Sequence, residues 1–352
     1  MGHSKVSKSQ TKKHNTMKTY LKIAVAILLV ATMVSCAEDS GPKKDRSVGG
    51  TREILAITQN PRQWEGVIGD SLRHFFLQEQ YGLPQPESRN NLAHITTDAF
   101  SDMFKKHKCI IEVDINPNLE KATAKTMENV WASPQRYVVI SAPDEASWIA
   151  LFDKQKEIYQ QWFDKVERER ILTVFRPTKD EAIAEAIAKR FGFTLTVPQG
   201  FYIAKDEANF MWLRKELERS SADIVIYQTP YRDTLQFETK ALLSMRELAM
   251  GQNIPGPSEG SYMGTETDIV PPVVTTAFDF PAGYAKEMRG MWKVYNNYMG
   301  GPFVSYTFAD NRTGQLVTIE GFYYEPNQKK RNALLQLESI AYSLKFVEAE
   351  EE

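Results

Sequence analysis

FVSYTFA (303–309), DNRTG (310–314) and QLVTIEGFYY (315–324) form the stretch that decides the fold. Two runs rich in β-branched and aromatic residues flank a short polar loop, which reads as a β-hairpin. A loop this short can join only antiparallel neighbours. Upstream, 273–280 and 288–294 read as further strands, and a helix over 327–346 closes the chain. The C-terminal part is therefore expected to be mainly antiparallel sheet packed with helix, an α+β fold.

The remaining chain alternates strand and helix signals. Runs at 53–58, 92–97, 109–115 and 136–142 read as strands, and Pro61 opens a helix over 61–80. Asp144 is placed to cap a long helix over 145–170, on which Trp148, Leu151, Phe152, Ile158, Tyr159, Trp162, Phe163 and Val166 recur at three- and four-residue spacing. That stripe reads as core. Thr178 and Glu181 match a capping box for a helix ending at Gly192. Short strands are expected at 193–197, 201–204 and 210–213 and a stronger one at 222–227, followed by a helix over 234–250 and a Gly/Pro/Ser loop over 251–267.

The two halves share an order. Ile54 to Pro61, a helix and Leu83-Pro84-Gln85-Pro86-Glu87 recur as Ile224 to Pro230, a helix and Ile254-Pro255-Gly256-Pro257-Ser258-Glu259. Each half then reaches a strand ending in proline, Pro143 or Pro326, before a helix. Internal duplication of a β-α-(β)n-α unit and chance recurrence of strand-Pro-helix both give this order, and strand order in the two sheets separates them. The expected organisation is a leader (1–36), a tether (37–50), an N-terminal half (51–170), a connecting helix and strands (171–221), a C-terminal half (222–346) and an acidic tail (347–352).

The leader states an address. Residues 1–36 hold six lysines and no acid, and a twelve-residue apolar run, 23–34, leads to Ser35-Cys36. About 18 Å of helix cannot cross roughly 30 Å of hydrocarbon. A small residue directly before cysteine reads as a lipoprotein signal, with Cys36 acylated by chains such as palmitate and left as the mature N-terminus. Such chains, at about 0.8 kcal/mol per buried methylene, hold a protein on a membrane. Met17 is an alternative start, with Lys18 and Lys22 as its basic region. The tether's Glu38 and Asp39 resemble an acidic export signal, so both periplasmic and surface-exposed placement on the outer membrane stay open.

Charge and motif narrow the chemistry. Six of the 43 basic residues lie in the leader, so the chain beyond it has a formal charge of −8 and no basic cluster, which argues against nucleic acid. Beyond Cys36 the only cysteine is Cys109, so no internal disulfide can form. His74, His94 and His107 show no metal-ligand spacing, and no phosphate-binding glycine loop occurs, so neither metal nor cofactor is expected. Gly256-Pro257-Ser258-Glu259-Gly260 matches a nucleophile elbow but lacks the preceding strand and a later histidine. No catalytic residue is assigned.

Three stretches are candidate contact residues. Arg289-Gly290-Met291-Trp292 puts a cation and a large aromatic beside a strand glycine; Trp212-Leu213-Arg214 repeats the pairing; Gly300 and Gly301 are expected to make a turn only glycines accept. These residues, with Trp64-Glu65-Gly66, the 83–87 turn, Pro134-Gln135, Ser261-Tyr262-Met263 and Lys330-Arg331, resemble an uncharacterised family of Bacteroidetes lipoproteins, domain of unknown function 4837. The resemblance runs over nearly the whole chain beyond the leader. It implies a lipid-anchored envelope protein and brings no activity, ligand or catalytic residue. Two functions follow: a non-enzymatic module binding an envelope protein, peptide or glycan at the cleft or sheet edge between the halves, or a hydrolase using paired carboxylates on a glycan.

Overall fold

The runs on either side of Asp310 to Gly314 pair antiparallel, Phe303 opposite Phe322 and Asp310 opposite Gln315, in a computed structural model that describes residues 44–347. In chain order the strands are β1 (Asp45–Arg46), β2 (Glu53–Thr58), β3 (Asn91–Thr96), β4 (Cys109–Ile115), β5 (Thr123–Glu128), β6 (Ala132–Ser133), β7 (Arg136–Ala142), β8 (Phe193–Thr194) and β9 (Tyr202–Glu207). They continue with β10 (Phe210–Glu216), β11 (Ser221–Pro230), β12 (Tyr262–Glu266), β13 (Val273–Thr276), β14 (Ala285–Tyr295), β15 (Gly300–Asp310), β16 (Gln315–Tyr324) and β17 (Lys345–Phe346). The helices are α1 (Pro61–Glu65), α2 (Val67–Phe76), α3 (Asp102–Lys105), α4 (Glu145–Phe175), α5 (Glu181–Phe191), α6 (Thr239–Asn253) and α7 (Arg331–Ala341).

Two sheets divide these elements into lobes. The first has the order β3-β2-β4-β7-β5, with β3, β2, β4 and β7 parallel and β5 antiparallel at the edge. Parallel strands buried on both faces read as continuous apolar runs, as β2 does from Ile54 to Ile57. One face packs on α2 and α4 through Ile54, Ile111, Ile140, Phe76, Trp148, Phe152 and Phe163, and the other on a smaller cluster around Tyr137. Each of the large α4 side chains buried there contributes roughly 1.5–3 kcal/mol. Asp144 caps α4 by accepting from Ser147 N at 2.7 Å, as the sequence predicts.

The second sheet is antiparallel throughout, β12-β14-β15-β16-β11-β10-β9, with β13 alongside β14. Because strand side chains alternate between faces, it carries two cores. One packs on α5 and α7 through Phe193, Val304, Tyr306, Phe308 and Leu337, the other on α6 through Phe210, Val225, Met250, Trp292 and Phe303. The α+β class with mostly antiparallel pairing therefore holds.

Duplication does not. In the first sheet β2 lies between β3 and β4, both parallel to it; its counterpart β11 lies between β16 and β10, both antiparallel. The shared order reflects recurrent local chemistry at helix starts: Asn60 caps α1 before Pro61, and Asp233 caps the turn after Pro230. The segment 171–221, read as a connection, instead supplies α5, β9 and β10 to the second lobe. Smaller differences have local causes. The helix predicted over 61–80 breaks at the extended Gly66 and ends at Phe76. Asp180, not Thr178, caps α5, and the closing helix starts only at Arg331, after a left-handed Asn327.

Candidate functional site

The long helix α4 has a second stripe. Glu157, Gln161, Asp164 and Arg168, at four- and three-residue spacing, turn away from the first sheet and line a cleft of about 360 Å³ between the lobes. The facing wall belongs to the second sheet, where Val273 pairs with Arg289 and Thr275 with Glu287, so all four side chains share one face. Gln78, Gln80, Tyr81 and Arg89 close one end, and Arg52, Glu338 and Tyr342 lie at the floor.

Glu338 organises the floor. Its side chain is 2% exposed, and it accepts from Arg168 Nη1 at 3.1 Å and Arg289 Nη2 at 2.6 Å, with Arg52 Nη2 at 3.9 Å. Burial alone would raise its pKa, but the charges of Arg289, Arg52 and Arg168 outweigh that and hold it at about 2. Arg52 is itself unusual. Its φ of +54° lies in the left-handed region that non-glycine residues seldom adopt, its N–H donates to Glu167 Oε1 at 2.8 Å, and its Nη1 donates to Asp164 Oδ1 at 2.7 Å. Its buried Nε has no partner. Arg289 Nε also donates to Glu287 Oε1 at 2.5 Å, Tyr306 OH to Glu287 Oε2 at 3.0 Å, and the Arg168 guanidinium lies 3.8 Å from the centre of the Tyr342 ring.

The lobes are stitched beside this cluster. Glu87, at the end of the 83–87 turn, accepts from the backbone N–H of Lys330 at 2.6 Å and of Arg331 at 3.3 Å, so a carboxylate of one lobe caps α7 of the other. That joins two motifs the sequence singled out separately. Gly82, at φ +81°, lies so close to Gly290 that a Cβ would sit 3.1 Å from its backbone nitrogen.

The sequence-predicted contact residues separate. Arg289 lines the cleft. Trp292, three residues on in the same strand, points to the opposite face, is 3% exposed and donates Nε1 to Tyr323 O at 3.3 Å. Trp212 and Arg214 are on the Trp292 side, as the register Asp223 opposite both Arg214 and Phe322, and Phe322 opposite Phe303, requires. There Trp212 Nε1 donates to Asp223 Oδ1 at 2.9 Å, and burial pushes the Asp223 carboxyl up to about 6 against the pull of Ser221, Arg214 and Trp212. Gly300 and Gly301 do not form a turn but open β15. They are needed for space: a Cβ on Gly301 would lie 2.2 Å from Tyr323 O and 3.0 Å from Trp292 Nε1. Cys36 lies outside the described residues.

Arg52, Arg89, Asp164, Arg168, Glu287 and Glu338 went unassigned in the sequence. Two signals pointed to some of them: the polar stripe opposite the aromatic one on α4, and a lone acid, Glu338, inside the apolar run 334–341. Among the described residues no group of three or more His, Cys, Asp and Glu side chains could hold a metal ion, and no helix is long and apolar enough to cross a membrane.

Residues 180–343 match the model of the domain of unknown function DUF4837. That match runs from the start of α5 to just past α7, so it covers the second lobe and not nearly the whole chain as the resemblance implied. Residues 47–176 match a separate model, the domain of unknown function DUF8532, so the boundary between the two families falls where α4 ends. Of the cleft's two walls, Asp164 and Arg168 lie in the stretch that matches DUF8532, and Arg289 and Glu338 in the stretch that matches DUF4837. No curated protein matches the chain. Among solved structures, the human StarD13 (DLC2) lipid transfer and protein localization domain aligns with 47% of this chain and 95% of its own at 8% identity and a TM-score of 0.22, a likeness too slight to carry any argument.

Proposed function

We propose that the protein is a cell-envelope module, anchored by lipid on Cys36, that binds a small polar ligand such as a glycan or peptide in the cleft between its lobes without turning it over. One observation carries the reading: Asp164, Glu287 and Glu338 each accept from a guanidinium, and the buried Glu338 is held at about 2. Catalysis by paired carboxylates needs one carboxyl kept protonated near neutral pH. Glu338 is held the other way. A volume of about 360 Å³ lies within the usual range for small-ligand clefts. The basic leader and the Ser35-Cys36 junction support the anchor.

The second reading, a glycan hydrolase, draws on Asp164 and Glu287 lining the same cleft from its two walls. A glycan and peptide panel tests both. Binding that disappears when Thr275→Trp fills the cleft supports the first; turnover abolished by Asp164→Asn or Glu287→Gln replaces it with the second. For the anchor, Cys36→Ser is expected to end acyl labelling and release the protein from the membrane fraction. A variant that stays membrane-bound sinks that part.

A further inference from the structure

Of the four guanidiniums that line the cleft, one is only loosely engaged. Arg52, Arg89, Arg168 and Arg289 face Asp164, Glu287 and Glu338, and each guanidinium carries five N–H donors. The other three arginines have closer carboxylate partners. Glu338 serves Arg168 and Arg289; Glu287 serves Arg289 and Tyr306; Asp164 Oδ1 accepts from Arg52 Nη1 and from Gln160 Nε2 at 2.8 Å. Arg89 Nη2 lies 3.5 Å from Asp164 Oδ2. Arg89 has no other side-chain partner among the described residues, and its side chain is 28% exposed at the end of the cleft. Glu79 and Glu157 also line the cleft, but both are exposed, where water and salt screen them.

We infer that the ligand of this cleft carries a carboxylate, received by the open fork of Arg89. The inference rests on the cleft being the binding site and adds the ligand's chemistry. The planar fork of Arg89 matches the two oxygens of a carboxylate. Gln78, Gln80, Gln161 and Thr275 offer amide and hydroxyl groups to the rest of the ligand. An acidic sugar and a peptide C-terminus share this chemistry.

Calorimetric titration of the full chain with galacturonate and with trialanine, each beside its neutral counterpart, galactose and amidated trialanine, separates these sources and tests the idea. At least one acid is expected to bind at least tenfold more tightly than its neutral partner. Arg89→Ala is expected to remove that advantage, Arg89→Lys to restore only part of it, and added salt to weaken it. The inference is overturned if neither acid binds at millimolar concentration, if acid and neutral probes bind alike, or if Arg89→Ala leaves the acid's affinity unchanged. The cleft reading survives those results wherever Thr275→Trp still abolishes the binding seen. Binding untouched by Thr275→Trp would remove the cleft itself.

Discussion

Glu320 and Glu338 are glutamates of the same lobe, 0% and 2% exposed and both held by arginine, yet their surroundings differ in kind. Glu320 meets one arginine. Arg246 donates to it three times, Nε at 3.2 Å and 2.9 Å and Nη2 at 2.7 Å, while Nη1 turns to Thr265 Oγ1 at 2.7 Å and Gly264 O at 3.3 Å. The guanidinium lies 3.8 Å from the centre of the Phe303 ring, and the pair is sealed beneath α6. Glu338 meets three arginines from both lobes and borders open space. The first pair satisfies itself within the core; the second cluster leaves the buried Arg52 Nε without a partner at a cavity wall.

The closed pair should be the costlier to break. Arg246→Leu leaves Glu320 buried without a counter-charge and is expected to cost about 3–5 kcal/mol in urea denaturation. Replacing both partners, Arg246→Leu with Glu320→Leu, should recover most of that loss, since apolar residues fill such a site without an orphaned charge. A double variant no better than the single would mean the pair does more than fill the core.

Acid should separate the two glutamates by sign. The folded pKa of Glu338, about 2, lies below its ordinary 4.5, so its contribution is fully present above pH 4.5 and lost as pH falls through 2; it is on the order of 3 kcal/mol at neutral pH. Burial pushes Glu320 the other way, above its ordinary range, with Arg246 opposing. Its contribution is present at low pH and lost as pH rises through its folded pKa. Glu338→Gln should therefore flatten stability between pH 5 and pH 2, and Glu320→Gln should not. Equal flattening by both variants would erase the distinction.

Gly301→Ala comes next, at about 1–3 kcal/mol by thermal denaturation. The methyl would meet Tyr323 O and the Trp292 ring, and a neutral result would show that β15 has slack there. This glycine also marks where reading from sequence ran out. Paired glycines suggest a turn as readily as a strand making room for an indole on its neighbour, and only the register, Trp292 opposite Gly301, tells them apart. Where a signal is local, the sequence was legible: Asp144 caps α4, Gly192 ends α5 and Asp310 to Gly314 turns the hairpin. Strand β5 was missed because its six residues are mostly exposed and polar, and β12 because it lies in a stretch dominated by glycine, proline and serine. The cleft was half legible. Arg289 stood out beside an aromatic, whereas Glu338 and Arg52 acquire their meaning from side chains far along the chain, 49 and 170 residues from Glu338 and 112 from Arg52.

The smallest effect on stability should come from Arg89, and it bears most directly on the contrast between closed and open arginine sites. Its one side-chain contact, 3.5 Å to Asp164, is longer than a good hydrogen bond. Its backbone N–H donates to Gln78 O at 2.7 Å, a bond that survives truncation of the side chain and keeps the loop in place. Partly exposed ion pairs of this kind contribute about 0–1 kcal/mol, so Arg89→Ala should leave the urea midpoint and slope close to those of the parent. The same truncation at Arg246 should shift the midpoint several times further. If Arg89→Ala instead cost about 2 kcal/mol or more, Arg89 would be bracing the lobes as Arg246 braces its sheet, and its free donors would be incidental rather than set aside for a ligand.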